Sequence, residues 1–348
     1  MNKFVCREIG SEFHWMPLNE GIGISLPKGV SDFCLPFSGR TAIETVLRNE
    51  PNIKKALLPS YCCDSMIEPF RKARIQVSFY DVSYSDGLKI DLQIADDIGA
   101  VLWCNYFGFT VDMPDFTHFI SCGGTLIEDI THSLFSAKQY HSQSKYLVGS
   151  IRKWGPVLCG GYCATTSGEL VKKPSKYPDT FFIENKISAM KRKNDYLLSL
   201  TDDTMKTLFL SEFSNSNHWL AEHYSNLMID NESLEYLSLM DCSVVCAMRR
   251  KNAEVLYAGL EQCQYVHFLF DIEDMDCPLF VPVVIENGKR DVIRKRLIEN
   301  QIYCPIHWPK PSDECCSNLY DIELSLICDQ RYDETDMERI VKIINGCQ

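Results

Sequence analysis

The stretch TLIEDITH, residues 125–132, reads as a short buried strand that ends in chemistry. Thr125, Leu126 and Ile127 supply the apolar run, and Glu128, Asp129 and His132 follow at its carboxyl end. AVLWCNYFG (100–108) precedes it in the same form, an apolar strand passing into a polar, glycine-containing turn at Asn105. Further toward the N-terminus, ALLP (56–59) and VSFYDV (77–82) are two more such runs. Helical patterns separate them. TAIETVLRN (41–49) places Ala42, Ile43, Val46 and Leu47 on one face, and MIEPFRKA (66–73) forms a second helix despite Pro69. Strand and helix in alternation imply βαβ units and a mostly parallel sheet, so the large domain is α/β. Carboxylates at the carboxyl ends of such strands point into the crevice where α/β proteins bind ligands.

Toward the C-terminus the pattern changes. Residues 183–262 contain few strand-like runs and long helical patterns, among them HWLAEHYSNLMI (218–229) and RKNAEVLYAGLEQ (250–262). PLFVPVVI (278–285), the helix RDVIRKRLIEN (290–300), the strand IYCPIHW (302–308), the run ELSLI (323–327) and the helix DETDMERIVKIING (333–346) then suggest a small α+β domain. The expected division is a large domain over 1–245, including the N-terminal segment, and a small domain over 246–348. At about 150 residues per domain, a chain of 348 residues fits two domains.

Composition excludes several classes. Lys and Arg total 35 against 47 Asp and Glu, and the formal charge of -12 argues against a phosphate-backbone binder, which needs a basic face. Nucleic acid is not an expected partner. The apolar runs GAVLWC and PLFVPVVI are far shorter than a membrane span, and MNKFVCREIGSEFHW lacks the uninterrupted apolar core of a leader, so no membrane association is expected. The 17 cysteines include the adjacent pairs Cys62-Cys63 and Cys315-Cys316 but no Cys-x-x-Cys. Such spacings write neither a disulfide framework nor a zinc site, and no metal is expected. Cysteine here reads as a small core hydrophobe in a reducing, cytoplasmic setting.

Four segments can carry chemistry. Ser38-Gly39-Arg40-Thr41 opens the first helix, and its small and hydroxyl residues suit either an ordinary N-cap or a phosphate. No Walker lysine and no Gly-x-Gly-x-x-Gly accompanies it, so ATP and dinucleotide sites are poorly supported. Glu128 to His132 offers an Asp that can pair with a cationic ring nitrogen and a His that can reach a neighbouring ring substituent; the alternative is a solvated carboxylate and a structural His. Gly149-Ser150-Ile151-Arg152-Lys153-Trp154 sets a lysine between an arginine and a tryptophan. That lysine is either a desolvated amine suited to Schiff-base chemistry or part of a surface pair. Cys304-Pro305-Ile306-His307-Trp308-Pro309 either places His307 in a cleft or makes a packed turn.

The combination and order of these parts meet what a pyridoxal phosphate (PLP) enzyme requires: a phosphate-type helix start, an Asp after a later strand and a Lys farther on. The chain resembles the DegT class of fold type I aminotransferases, which includes many nucleotide-sugar aminotransferases. The resemblance runs from SGRTAI through LPSYCCDSMIEPF, VSFYDV, NYFGF, IEDITHSLFS and IRKWGPVLCGG to CPIHWP and LSLICDQRYDETDMERI. It implies an aspartate-aminotransferase-like large domain and a small C-terminal domain. It makes Lys153 the lysine that bonds the cofactor and shuttles the proton, Asp129 the pyridine-nitrogen partner and His132 the neighbour of the phenolic oxygen. Gly39, the backbone amides of Arg40 and Thr41, and Ser150 become the phosphate cup. Asn105 and His307 fall on the substrate side. The ring-stacking position of the family falls on Tyr61 or Cys63, and Thr131 stands where many relatives have Ala.

The resemblance further implies transfer of an amino group from an amino acid, glutamate by analogy, to a keto acceptor such as a nucleotide-linked keto sugar. Two other outcomes stay open, a PLP dehydratase or lyase and a catalytically silent binding or regulatory homologue. Family members are generally homodimers with the site at the interface, and the apolar loops near Tyr61 and Phe107 suggest surfaces that a partner covers.

Overall fold

The computed structural model describes residues 8–16, 23–137, 140–199, 203–286, 288–312 and 314–347. The start of the N-terminal stretch read above for a leader, residues 1–7, lies outside them. The chain opens with β1 (Ile9–Gly10) and β2 (Asp32–Cys34). An α/β unit follows: α1 (Gly39–Asn49), β3 (Lys55–Pro59), α2 (Asp64–Lys72), β4 (Gln76–Tyr84), β5 (Leu88–Asp91), β6 (Ala100–Cys104), α3 (Thr117–Ser121), β7 (Thr125–Asp129), β8 (Tyr146–Gly149) and β9 (Tyr162–Thr165). Helices α4 (Thr180–Ser199), α5 (Asp203–His223), α6 (Asn231–Leu239) and α7 (Cys242–Leu260) come next. The C-terminal part holds β10 (Val266–Phe268), β11 (Val281–Ile285), α8 (Arg290–Glu299), β12 (Ile302–Tyr303), α9 (Leu319–Ile322), β13 (Glu323–Leu326) and α10 (Glu334–Asn345).

The main sheet has the order β2-β9-β8-β7-β6-β3-β4-β5. Strands β8, β7, β6, β3 and β4 run parallel, and β9 and β5 run antiparallel to their neighbours. The central strands are apolar and enclosed. All five residues of β6 and all five of β7 are buried, the continuous burial expected of a parallel sheet. On α1, Ala42, Ile43, Val46 and Leu47 are buried as their spacing predicts. The mostly parallel α/β architecture read from the sequence is therefore present.

A second, antiparallel sheet has the order β10-β11-β13. Helix α7 spans position 245. Its first turn packs Val245 with Phe37 and Trp154, whereas Ala253, Leu256 and Leu260 join Val281, Val283 and Ile340 in the C-terminal core. Ile9 sits in that same core, and β1 pairs in parallel with β12. Among the described residues, no helix is long and apolar enough to cross a membrane.

Three local expectations need correction. AVLWCNYFG is a strand only to Cys104; Phe107 (φ 57°) and Gly108 (φ 94°) then turn the chain in left-handed conformations. A Cβ on Gly108 would stand 2.2 Å from the Cys277 carbonyl oxygen, so only glycine fits that approach. IYCPIHW is a strand only at Ile302–Tyr303, because its partner β1 is two residues long and Pro305 lacks an N–H for any ladder. Finally, the Tyr61 and Phe107 rings are wholly buried inside this chain, so these two rings are covered without a partner.

Candidate active site

Strand alternation sorts the two carboxylates at the end of β7. Successive side chains point to opposite faces. Glu128 turns to the far side, where Oε1 accepts a hydrogen bond from Asn105 Nδ2 (2.8 Å) and Oε2 accepts from the His141 amide (3.0 Å) and Ser144 Oγ (2.6 Å). Asp129 faces a cleft, and its Oδ1 accepts the Thr131 amide at 2.8 Å. Burial raises the Asp129 carboxyl above its ordinary range, while the Thr131 hydrogen bonds and the Lys153 charge pull it down.

His132 closes the next turn. Its Nδ1 accepts the Phe107 amide at 3.0 Å, and its Nε2 lies 3.4 Å from Lys153 Nζ. Burial holds the ring well below its ordinary pKa, and a proton on Lys153 or His307 beside it would lower it further, so it is neutral. A neutral imidazole with an accepting Nδ1 carries its proton on Nε2. That proton can only be given to Lys153 if the amine is unprotonated. Burial lowers the Lys153 pKa, opposed by Cys63 and Asp129, and so agrees with this arrangement.

Lys153 ends a single 3-10 turn, Ile151–Lys153, that leaves β8. The next residue anchors it. Trp154 donates its indole N–H to the Thr131 carbonyl (2.8 Å), its ring lies 4.7 Å from that of Phe135, and the Arg249 guanidinium sits 4.8 Å above it. The lysine and the Asp129–His132 turn are thus fastened to each other.

The first turn of α1 forms the opposite wall. Ser38 caps the helix through its Oγ, which accepts the Thr41 amide at 3.3 Å. Thr41 Oγ1 in turn donates to the Tyr224 carbonyl at 2.8 Å. The amides of Gly39 and Arg40 have no partner among the described residues, as the first amides of a helix commonly do not. Ser150 packs directly on this turn; a Cβ on Gly39 would meet the Ser150 Cβ at 3.4 Å. Gly160 and Gly161 brace it from behind by donating to the carbonyls of Phe37 and Pro36, both at 2.7 Å. A Cβ on Gly161 would stand 2.4 Å from the Ser38 carbonyl oxygen.

One cleft therefore collects Gly39, Arg40, Cys63, Asp129, His132, Ser150 and Lys153. Thr41 lies behind it as a helix-cap partner. The Arg40 guanidinium is drawn to Glu68 (2.9 Å). Tyr61 is not brought in; its ring is wholly buried, 5.1 Å from both Trp308 and Tyr320. Cys63 occupies the cleft instead, with Sγ 2.8 Å from Ser65 Oγ at the start of α2. Asn105 turns away to Glu128 and Ser133 and lines a separate cavity of about 590 Å³. His307 is buried just behind, its ring 5.8 Å from that of His132. The aromatic that reaches the cleft is Trp308, stacked on His132 at 5.7 Å and 26°. Its only trace in the sequence is its place beside His307.

These parts suit a small, planar, phosphorylated electrophile. An amine whose pKa burial lowers, a carboxylate, and free helix amides beside a serine face one another across the cleft. No protein-family model and no curated protein matches the chain. Solved structures do match. A Streptococcus pneumoniae protein described as a sugar aminotransferase, in its PLP form, is 9% identical with a TM-score of 0.66, over 97% of this chain and 98% of that one. A DegT DnrJ EryC1 StrS aminotransferase from Brucella abortus is 15% identical, TM-score 0.61, over 92% and 86%. DesI, solved in the presence of its TDP-sugar product, is 12% identical, TM-score 0.63, over 92% and 81%. The chain has the fold of these proteins, the fold type I architecture of PLP enzymes expected from its sequence.

Proposed function

We propose that this chain is a PLP-dependent aminotransferase that moves an amino group from an amino acid to a keto acceptor. The observation that carries the reading is the contact between the neutral His132 ring and the buried Lys153 amine, set opposite the free amides of α1. Lys153 Nζ would bond the cofactor, the α1 amides and Ser150 would hold its phosphate, and Asp129 would keep its ring nitrogen protonated. When bound, the cofactor draws electron density from the substrate α-carbon as its proton leaves. Lys153 Nζ then takes and returns that proton, which it can do only as a neutral amine. His132 favours that neutral form. Trp308 and Cys63 shape the cleft on either side and keep water from it.

The finer assignments rest on likeness. Glutamate is the proposed donor, and a nucleotide-linked keto sugar the proposed acceptor; the TDP-sugar product in the DesI structure supports that class. A homodimer in the cytoplasm is part of the same proposal, supported by the resemblance to the DegT class and by the adjacent cysteine pairs. Incubating the PLP-loaded protein with an amino acid and following pyridoxamine phosphate formation tests the reading. Formation of the keto acid without pyridoxamine phosphate would favour a lyase outcome instead.

A further inference from the structure

His307 is tied on one side of its ring to a buried three-residue network. Its Nδ1 lies 2.7 Å from Ser325 Oγ, and Ser325 Oγ is hydrogen-bonded to Glu323 Oε1. The other Glu323 oxygen, Oε2, accepts the backbone N–H of His307 at 2.9 Å. Glu323 and Ser325 are alternate residues of β13, so both point the same way. Ser325 and Glu323 have no solvent exposure, and His307 very little.

A hydroxyl has one proton to give, and that forces a choice. If Glu323 is ionised, Ser325 must donate to Oε1. Its oxygen then accepts from His307, whose proton stands on Nδ1, leaving a lone pair on Nε2. If Glu323 is protonated and donates from Oε1, Ser325 Oγ accepts that proton and gives its own to His307 Nδ1. The ring must then carry its proton on Nε2. The change takes one proton from solvent onto Glu323, and the ring exchanges its Nδ1 proton for one on Nε2 through water.

We propose that Glu323 is a positioning residue: acting through Ser325, it sets whether His307 offers a donor or a lone pair at Nε2, just behind His132 and Trp308 of the cleft wall. Among the described residues Nε2 of His307 has no hydrogen-bond partner. As a donor it suits a carboxylate or keto oxygen; as an acceptor it suits a hydroxyl or an ammonium group. The substrate side of an aminotransferase needs the first of these while the keto acceptor binds.

The groups around the network make such a change reachable. Burial raises the Glu323 carboxyl to about 8, against the hydrogen bonds from Ser325 and the His307 amide and the charge of Arg290. The Tyr61 hydroxyl also stands near Glu323, and burial keeps it neutral. Cys304, which also faces Glu323, has its thiol pushed up to about 12 and stays neutral. His307 itself is held well below its ordinary value by burial, so it remains neutral while Glu323 titrates. Below about pH 8 the Nε2–H form is therefore expected, and above it the Nδ1–H form.

The inference rests on the aminotransferase reading for its purpose, but its test needs no turnover. Two-bond 1H–15N spectra of 15N-histidine-labelled protein report which ring nitrogen is protonated, and a His307→Asn sample assigns the signal. The wild type is expected to pass from Nε2–H to Nδ1–H as pH rises from 6 to 9.5. Glu323→Gln should hold Nε2–H throughout, because the His307 amide selects the glutamine oxygen and leaves its NH2 to donate to Ser325. Ser325→Ala should abolish the change at that pH. A single tautomer across the range in the wild type would overturn the proposal, and so would a change that persists in Glu323→Gln.

Discussion

Nζ of Lys153 and Nε2 of His132 stand 3.4 Å apart, and the Phe107 amide on the far side of the imidazole decides which of the two is the donor. With Nδ1 accepting, His132 donates and Lys153 must be neutral. Lysine normally titrates near 10.5, and burial moves Lys153 below that value. A lowered lysine pKa means that the reactive amine persists to lower pH. The rate of borohydride-reducible adduct formation with PLP should therefore have its midpoint below that of free lysine. Lys153→Ala should remove the adduct while leaving thermal unfolding similar. An adduct mapped by peptide mass to another lysine contradicts this.

Asp129→Asn separates charge from shape. The amide can still accept the Thr131 N–H, so the turn should hold and PLP should still bind through Lys153 and α1. The amino-acid half-reaction should slow by roughly 10²–10³-fold, the loss typical of one preorganised electrostatic partner. Stopped-flow decay of the cofactor spectrum with glutamate measures it, and an unchanged rate removes Asp129 from the site.

Tyr61 and Trp308 should differ sharply. The Tyr61 ring is enclosed by Tyr106, Trp308 and Tyr320, outside the cleft. Tyr61→Phe should change stability by less than about 1 kcal/mol, since the hydroxyl it removes makes no hydrogen bond of good geometry. PLP affinity should not move. Trp308→Leu removes the ring stacked on His132 and should weaken PLP binding, read by equilibrium dialysis. Equal effects of the two substitutions would contradict this placement.

Gly161→Ala adds a Cβ 2.4 Å from the Ser38 carbonyl oxygen, which is backbone and cannot swing aside. The start of α1 must shift. Overpacking of this kind costs about 1–3 kcal/mol. A lower unfolding temperature and a raised dissociation constant for PLP should appear together. Lost stability with unchanged affinity would show that the α1 amides do not hold the phosphate.

Much of this site was legible because its elements are local. The apolar run Thr125–Ile127 marked a buried strand with carboxylates at its carboxyl end, but the strand runs on to Asp129, so alternation sends Glu128 away from the crevice and leaves Asp129 facing it. Ser38 before an amphipathic helix was equally plain. Which residue of Tyr61 and Cys63 faces the cleft was not, because that depends on where α2 begins: Cys63 is its N-cap, and Tyr61 is pulled into the core by three other rings. Asn105 was drawn away from the substrate side by Glu128 and Ser133, partners supplied by a neighbouring strand and the turn beyond it. The short strands β2, β5 and β9 carry too few residues for a periodic signal. Trp308 reaches the cleft from the C-terminal part of the chain, and only the tertiary fold brings it there.

The most direct measurement is the absorption spectrum of the PLP-loaded protein before and after adding L-glutamate without an acceptor. Aminotransfer predicts loss of the lysine-bound cofactor band, appearance of pyridoxamine phosphate, and about one equivalent of 2-oxoglutarate per site, none of it in Lys153→Ala. A cofactor spectrum that stays unchanged with glutamate and with every other amino acid tried would contradict the aminotransferase reading.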